Sequence, residues 1–204
     1  MNCTPHYLQP YQDAVKTFGG TFDATLWQSK EGQLIRFEVF RAFVDFTNCS
    51  ILDVGCGIGD FAQFLVDNKV AFDSFYGIDA MEEMIVTATN RSIECSNFST
   101  VDIVTSLEEI PKAEWITCSG TLNAMGEELA IRTIDALFEQ CNVGLAFNFL
   151  SDQSGRDPES ESLEPATRFN TVGILKHVFT KTPLISFTQT YLNGHDATIV
   201  MRKL

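Results

Sequence analysis

The sequence predicts an α/β fold, with a doubly wound, mostly parallel sheet of seven strands that ends in an antiparallel hairpin. Short apolar runs alternate with helical patterns from residue 51 to residue 150, which is the rhythm of βαβ units. A glycine-rich turn directly follows the first of these runs. Near the end of the chain, Asn193 and Gly194 separate two apolar runs, as in hairpin turns. The length of 204 residues suits one domain with its own core.

The individual elements follow from the spacing of apolar residues. Short apolar or alternating runs predict strands over residues 51–54, 74–78, 98–103, 115–118, 144–150, 184–192 and 197–204. Apolar residues three or four apart predict helices over residues 33–46, 60–68, 81–88, 126–141 and 170–179, the last one capped by Asn170. Residues 5–17 are only weakly patterned.

Charge and composition exclude several classes of partner. The net charge is −13, and residues 51–150 hold sixteen acidic against four basic side chains, which argues against nucleic acid. The sequence shows neither a signal-peptide pattern nor an apolar stretch of membrane-spanning length, so we expect a cytoplasmic protein without a membrane partner. Its six cysteines and three histidines lack zinc spacing, so no metal is expected and the thiols are expected to be reduced.

The most informative segment is the glycine loop at residues 53–59, DVGCGIG. It lies between a predicted strand and a predicted helix, where glycines allow a ligand to approach the main chain. Dinucleotide-binding loops have the spacing G-x-G-x-x-G, whereas this loop has G-x-G-x-G and places Asp60 at the third dinucleotide glycine. An acid there would face a pyrophosphate, which disfavours an NAD-dependent oxidoreductase.

This loop resembles the first motif of class I S-adenosylmethionine-dependent methyltransferases, and the resemblance extends along most of the chain. The similar segments are residues 27–37, 51–59 (ILDVGCGIG), 76–84 (YGIDAMEEM), 101–103, 115–123 (WITCSGTLN) and 195–203. The fourth-strand and N-terminal segments are similar to those of a small, poorly characterised subgroup. The resemblance implies a Rossmann-like fold and an enzyme that transfers a methyl group to a small-molecule acceptor by in-line displacement. S-adenosylhomocysteine is the implied product.

The resemblance also implies which residues bind the methyl donor. Gly55 and Gly57 approach its methionine part, and Asp53 orients the amino or sulfonium end. Asp79 accepts both ribose hydroxyls, and Asp102 accepts the adenine amino group. The full implied set is Asp53, Gly55, Cys56, Gly57, Gly59, Asp79, Ala80, Met81, Asp102, Ile103 and Ser119.

Each of these acids also has a purely structural alternative. Asp53 would then cap amides of the glycine loop, Asp79 would cap the next helix, and Asp102 would be an ordinary polar loop residue. Met81 would be a core methionine, and Cys56 a small filler rather than a nucleophile.

The acceptor end is less well defined by the sequence, and no general base is apparent. Asn123 follows the fourth strand and is the candidate for holding the acceptor, with capping of the helix near Gly126 as its alternative. His195 is expected to be a solvated turn residue and His177 to be structural. Four N-terminal residues are candidates to cover the donor or the acceptor: Tyr7, Tyr11, Trp27 and Arg36. The Asp/Asn-Pro-Pro-aromatic motif of nucleic-acid amino methyltransferases is absent after the fourth strand.

These inferences divide a single methyltransferase domain, residues 1–204, into four parts. They are an N-terminal helical cap over 1–47, a cofactor-binding half over 48–150, a polar loop or lid over 151–169, and a C-terminal helix and hairpin over 170–204. The alternative function is a non-catalytic S-adenosylmethionine-binding or regulatory protein of the same fold. The acceptor atom and the oligomeric state are left open.

Overall fold

The sheet of the computed structural model has seven strands in the order β3-β2-β1-β4-β5-β7-β6. The structure describes residues 6–106, 110–155, 163 and 165–204. The strands are β1 (Ser50–Val54), β2 (Ser74–Asp79), β3 (Ser96–Thr100), β4 (Ala113–Cys118), β5 (Cys141–Leu150), β6 (Ile185–Thr188) and β7 (Asp196–Arg202). The first five strands are parallel, and β7 runs antiparallel to both β5 and β6. The predicted fold class is confirmed.

Six α-helices accompany the strands in the part of the chain that the structure describes. They are α1 (Gln9–Phe18), α2 (Lys30–Phe43), α3 (Asp60–Asp67), α4 (Glu82–Asn90), α5 (Glu127–Gln140) and α6 (Thr171–Phe179). Asn170 caps α6 as predicted, because its Oδ1 accepts the Gly173 amide at 2.8 Å. Among the described residues, no helix is both long enough and apolar enough to cross a bilayer.

Both faces of the sheet are covered, and β1 shows how. Its Ile51 packs with an aromatic-rich cluster from α2 and α3 that includes Phe40 and Phe61. The next residue, Leu52, points to the other face and packs in the cluster that contains α5 and α6. Alternate side chains of one strand therefore fill two cores, as expected for a buried parallel strand.

The N-terminal segment contains a helix that the sequence pattern did not resolve. Residues 5–17 were only weakly patterned, yet α1 spans Gln9–Phe18 and packs through Ala14 and Val15 against Met84 of α4. Because α4 follows the end of β2, this packing holds α1 over the carboxyl ends of the strands. Helix α2 also begins three residues before its predicted start and ends at Phe43.

Several predicted strand boundaries are wrong, since β5 begins at Cys141 rather than at residue 144 and β6 ends at Thr188 rather than at residue 192. Strand β3 covers Ser96–Thr100 rather than 98–103, so Asp102 and Ile103 lie in the loop after it. The two-residue hairpin turn at Asn193-Gly194 is also incorrect. The last β6–β7 pair is Thr188 with Thr198, and a longer connection with a 3₁₀ turn at Leu192–Gly194 joins the strands. The antiparallel pairing itself is confirmed.

Candidate active site

A cavity of about 370 Å³ opens at the carboxyl ends of the strands. The chain leaves β1 toward β2 on one side and leaves β4 toward β5 on the other, so the strand order reverses between β1 and β4. Open α/β sheets bind ligands at this switch point. The loops after β1, β2, β3 and β4 all line the cavity, and the N-terminal segment closes it from above.

The glycine loop after β1 has the backbone that its sequence requires. Gly55, Gly57 and Gly59 have φ angles of 72°, 53° and 79°, in the left-handed region that favours glycine. A Cβ on Gly55 would collide with Thr121 of the loop after β4. A side chain at this position would therefore fill the space between the two loops that flank the switch point.

Asp79 anchors the glycine loop from the end of β2. Its Oδ2 accepts the Gly57 amide at 2.9 Å, and its Oδ1 accepts the Met81 amide at 2.9 Å. Helix α4 begins at Glu82 with Met81 in the N-cap position, so Asp79 lies two residues before Met81 and binds its amide. A carboxylate has about four acceptor positions, so beyond its backbone hydrogen bonds the group can still accept from a ligand hydroxyl. Burial raises the pKa of Asp79, and its backbone hydrogen bonds oppose that rise.

Asp53 is a nearly fully buried carboxylate, with 4% of its surface exposed. Its Oδ1 accepts the hydroxyl of Thr117 at 2.7 Å. Desolvation raises the pKa of Asp53 to about 7, the Thr117 hydrogen bond lowers it, and repulsion from Asp79 adds to the rise. The loop-cap alternative is wrong, because the Gly55 and Cys56 amides donate to the Ile78 carbonyl instead.

Asp102 follows β3 and, with Asp53 and Asp79, lines the methyl-donor end of the cavity. An N-terminal tyrosine, Tyr7, contacts it there. The Tyr7 hydroxyl donates to Asp102 Oδ1 at 2.5 Å, and the Val104 amide donates to the same oxygen at 3.0 Å. Oδ2 therefore remains for a ligand among the described contacts. Burial is the largest cause of the raised pKa of Tyr7, and the Asp102 carboxylate raises it further.

The other predicted covering residues also line the cavity. Tyr11 lies near Asp79, and burial raises the pKa of its phenol to about 12. Trp27 packs on the loop after β4 so closely that a Cβ on Gly120 would approach its ring to 2.6 Å. The Arg36 guanidinium lies 4.6 Å from the Trp27 ring centroid and forms an ion pair with buried Asp196.

Asn123 lies in the turn after β4 and is 8% exposed. Its Oδ1 accepts the Leu150 amide at 2.9 Å, which fixes the orientation of the side-chain amide. The predicted alternative, a cap for α5, is wrong, because Gly126 is the N-cap and receives no side-chain hydrogen bond. Asn123 also lines the cavity, and its Nδ2 has no hydrogen-bond partner among the described residues.

His195 is where the sequence expectation fails most clearly. It is 7% exposed and lines the cavity, so it is not a solvated turn residue. Arg168 Nη2 lies 3.0 Å from His195 Nδ1. A guanidinium can only donate, so Nδ1 accepts and the neutral ring carries its proton on Nε2. His177 instead contacts Asp135 at 2.7 Å and does not line the cavity, in keeping with the structural role expected for it.

All predicted donor-binding residues except Gly59 line this one cavity. Cys56 lines it as a buried thiol whose pKa is raised by desolvation, which suits a filler rather than a nucleophile. Sequence reasoning missed Thr117 and Asn148. Asn148 is 1% exposed and accepts the Gly120 amide while donating to Ser119, both at 2.9 Å. A polar residue in an apolar strand was the available signal.

The polar stretch over 151–165 is described only in part. Leu163, Pro165 and Ala166 line the cavity beside Leu150. Residues 156–162 and 164 lie outside the described residues, so the choice between lid and disordered loop stays a prediction. In the described part of the chain, no cluster of histidine, cysteine, aspartate or glutamate has the arrangement of a metal site.

A doubly wound sheet with an acidic, glycine-lined cavity at its switch point is the arrangement of ligand-binding open α/β proteins. Residues 45–144 match a family model described as a methyltransferase domain. This matched segment is a methyltransferase domain, which confirms the enzyme class and methyl donor predicted from the sequence. No curated protein matches the chain.

Several solved structures share the fold at low identity. One is the magnesium protoporphyrin IX methyltransferase of Synechocystis with bound S-adenosylhomocysteine, at 15% identity and a TM-score of 0.69, covering 97% of this chain and 94% of that one. Another is phosphoethanolamine N-methyltransferase 1 of Haemonchus contortus, at 12% identity and a TM-score of 0.72. The match covers 97% of this chain and 49% of that one. A third is the small RNA methyltransferase HEN1, at 11% identity and a TM-score of 0.69. The match covers 84% of this chain and 25% of that one. These likenesses concern the fold, and the proteins' acceptors differ.

Proposed function

We propose that this enzyme transfers the methyl group of S-adenosylmethionine to a small molecule, with the donor held by the loops after β1 to β3. The observation that carries the proposal is a pair of carboxylates at the switch point, of which Asp53 is buried and Asp79 is partly exposed on the cavity wall. Asp53 and Asp79 repel each other, and burial raises the pKa of both. A cationic ligand between them relieves that repulsion and offsets their desolvation. A pyrophosphate would increase it.

The residues present fit this donor along its whole length. Asp53 lies where the ammonium or sulfonium end would be, and the glycine loop leaves room for the methionine chain. We assign the ribose hydroxyls to Asp79, which keeps acceptor capacity beyond its backbone hydrogen bonds. Asp102 Oδ2 and Ile103 line the adenine end. When bound, the sulfonium supplies an already activated methyl group, so the protein's task is to position the acceptor in line.

A small acceptor is favoured by how enclosed the cavity is. The N-terminal residues Tyr11 and Trp27 cover it from above, and Leu163 and Pro165 border it on the β5 side. The strongly acidic charge adds to this, because a nucleic-acid acceptor needs a basic face. The cytoplasmic location expected from the sequence remains part of the proposal.

Calorimetric titration of the full chain tests the donor assignment. Asp79→Ala removes the ribose acceptor and the anchor of the glycine loop, so S-adenosylmethionine affinity should fall by more than about hundredfold. Asp73→Ala, at the exposed opposite end of β2, is the matched control and should leave affinity unchanged. Tight binding of NAD in place of S-adenosylmethionine would refute the proposal. Donor binding without transfer to any acceptor would favour the non-catalytic alternative.

A further inference from the structure

The end of the cavity where the methyl acceptor would bind is formed by Arg36 and Asn123. It presents N–H groups and, among the described lining residues, no carboxylate. Among the described residues, four acids line the cavity: Asp53, Asp79, Asp102 and Asp60. The first three belong to the donor end. Asp60 accepts from Arg91 at 2.6 Å and from Gln33 at 3.3 Å, so its charge is already engaged at the start of α3.

Arg36 is the first of these donors. Its Nη1 donates to the Gly32 carbonyl at 2.8 Å, and its Nε faces the carboxylate of Asp196. Nη2 has no partner among the described contacts. Asp196 is 1% exposed and does not line the cavity, so a ligand meets the guanidinium N–H groups and not the acid beneath them. The ion pair and the Trp27 ring hold the guanidinium in place.

Asn123 is the second donor, because its oxygen is occupied by the Leu150 amide and its NH₂ group remains for a ligand. The two donors converge on one place in the fold. Leu150, which fixes Asn123, is the register partner of Asp196, which fixes Arg36. Both side chains therefore lie over the same end of the β5–β7 pair.

No described group at this end is able to take a proton from an acceptor. His195 is oriented by Arg168 with its neutral-state proton on Nε2, and that nitrogen lies 3.9 Å from Asp196 Oδ1. In this tautomer the basic nitrogen is Nδ1, whose lone pair accepts from Arg168, so protonation of the ring would break that hydrogen bond. The phenol of Tyr11 and the thiol of Cys56 have raised pKa values and stay protonated at neutral pH.

The N–H groups of Arg36 and Asn123 converge where no described group can act as a base. From this we propose that the methyl acceptor is a small carboxylic acid and that the product is its methyl ester. The inference rests on the proposed function. A carboxylate is deprotonated at neutral pH, so it needs no base, whereas an alcohol or an ammonium group must lose a proton. Its two oxygens match Arg36 and the Asn123 amide. Apolar neighbours such as Leu150, Pro165 and Leu192 suit an apolar body.

The step balances without an additional reactant. A carboxylate oxygen forms a bond to the methyl carbon while the methyl–sulfur bond breaks, and that electron pair stays on sulfur. The negative acceptor and the positive sulfonium become a neutral ester and a neutral thioether. No proton is released or consumed. The acidic end of the cavity thus binds the positive sulfonium, and the end lined by N–H groups binds the negative carboxylate. The two charges neutralise each other when the methyl group is transferred.

Two matched sets of compounds test the acceptor class with the full chain and methyl-labelled S-adenosylmethionine. They are cinnamate, cinnamamide, cinnamyl alcohol and cinnamylamine, and the corresponding octanoate series. Label should enter only the acids and should be released as volatile methanol in mild alkali. Alkali-stable label in an alcohol or amine would overturn the proposal. So would an absence of label in both acids while donor binding is intact. Loss of donor binding would instead refute the proposed function.

An isosteric charge change tests the binding role separately. Asn123→Asp keeps the acceptor for the Leu150 amide but places a carboxylate against the ligand. Acid binding to the S-adenosylhomocysteine complex should weaken by more than about tenfold, with S-adenosylhomocysteine affinity unchanged. Asn170→Asp makes the same change at the α6 cap and serves as the control. Equal acid binding by the Asn123→Asp variant and the wild type would contradict the assignment.

Discussion

The two ends of the cavity differ in the sign of what they offer. The methyl-donor end is built from carboxylates of β1, β2 and the loop after β3, and Asp79 is close enough to the buried Asp53 to repel it. The acceptor end presents the guanidinium of Arg36 and the amide of Asn123, with its acid, Asp196, covered. Each end therefore lacks the charge that would balance its own. A cation stabilises the first and an anion suits the second.

The largest expected effect comes from neutralising the donor end. Asp53→Asn keeps an oxygen for the Thr117 hydroxyl but removes the buried charge. S-adenosylmethionine affinity should fall by more than about hundredfold. The free enzyme should become more stable at pH 8 by up to about 4 kcal/mol. The pKa of Asp53 is raised from 3.8 to about 7, and each pKa unit corresponds to about 1.4 kcal/mol. Calorimetry and denaturant unfolding measure the two effects.

Asp135→Asn is the control for this substitution. Asp135 contacts His177 and Lys181 and does not line the cavity, so its removal should not change donor affinity or increase stability. If Asp53→Asn binds the donor as tightly as the wild type, the acidic end is not the cation site.

The pH dependence of donor binding should follow from the same carboxylate. The pKa of Asp53 in the free enzyme is about 7, and a cation favours its ionised form. Donor affinity should therefore be constant above pH 7 and should fall by about tenfold for each unit below it. Binding at pH 6 should release about one proton, measured by calorimetry in buffers of different ionisation enthalpy. A flat profile from pH 5 to 8 would disagree with this account.

The raised pKa also predicts how the free protein's stability varies with pH. A carboxyl whose folded pKa lies above its unfolded value stabilises the fold most below about 3.8, and that contribution is lost as pH rises to about 7. The Asp53→Asn variant should lack this component of the wild-type profile. Comparison of the two unfolding profiles isolates it from other groups.

A smaller effect is expected at the boundary between the two ends. Gly120 has a φ of 77°, and a Cβ there would approach Trp27 to 2.6 Å. Gly120→Ala should destabilise the protein by about 1–2 kcal/mol and displace the ring that supports Arg36. Acceptor KM should rise more than donor Kd. Gly126→Ala, where a Cβ meets nothing within 4 Å, is the control. Equal changes in acceptor KM and donor Kd would show that the two ends are not separable.

The smallest expected effect is at the N-terminal cover. Tyr7→Phe removes the hydrogen bond to Asp102 and should weaken donor binding by only about 1 kcal/mol. Amide hydrogen exchange in α1 should become faster, because that contact ties the segment before α1 to the loop after β3. Unchanged exchange would mean that apolar packing alone holds the cover.

The sequence predicted the donor end well and the acceptor end poorly, for a physical reason. The glycine loop and Asp79 are local: residues 53–59 form one strand-to-helix turn whose spacing limits what it can bind. The acceptor end depends on contacts between distant residues. Asn123 has the right spacing to cap α5, but the Leu150 amide takes its oxygen. His195 looked like a turn residue because the β5–β7 register that buries it was not apparent.

The turn chemistry at residues 192–194 shows a similar limit. Asn193 and Gly194 do adopt positive φ angles, as the hairpin signal requires. The β6–β7 pairing nevertheless stops at Thr188 and Thr198, so the turn lies beyond the sheet. The turn propensity of Asn193 and Gly194 is therefore expressed in the structure. The end of the β6–β7 pairing depends instead on tertiary contacts, such as the burial of Asp196 against Arg36.

A crystal structure of the S-adenosylhomocysteine complex tests the central claim most directly, because it shows which end receives which group. The account predicts the ribose hydroxyls on Asp79, the ammonium group beside Asp53, and the sulfur facing the space bounded by Arg36 and Asn123. An adenine ring lying against Arg36, or a sulfur atom directed away from Asn123, would contradict it.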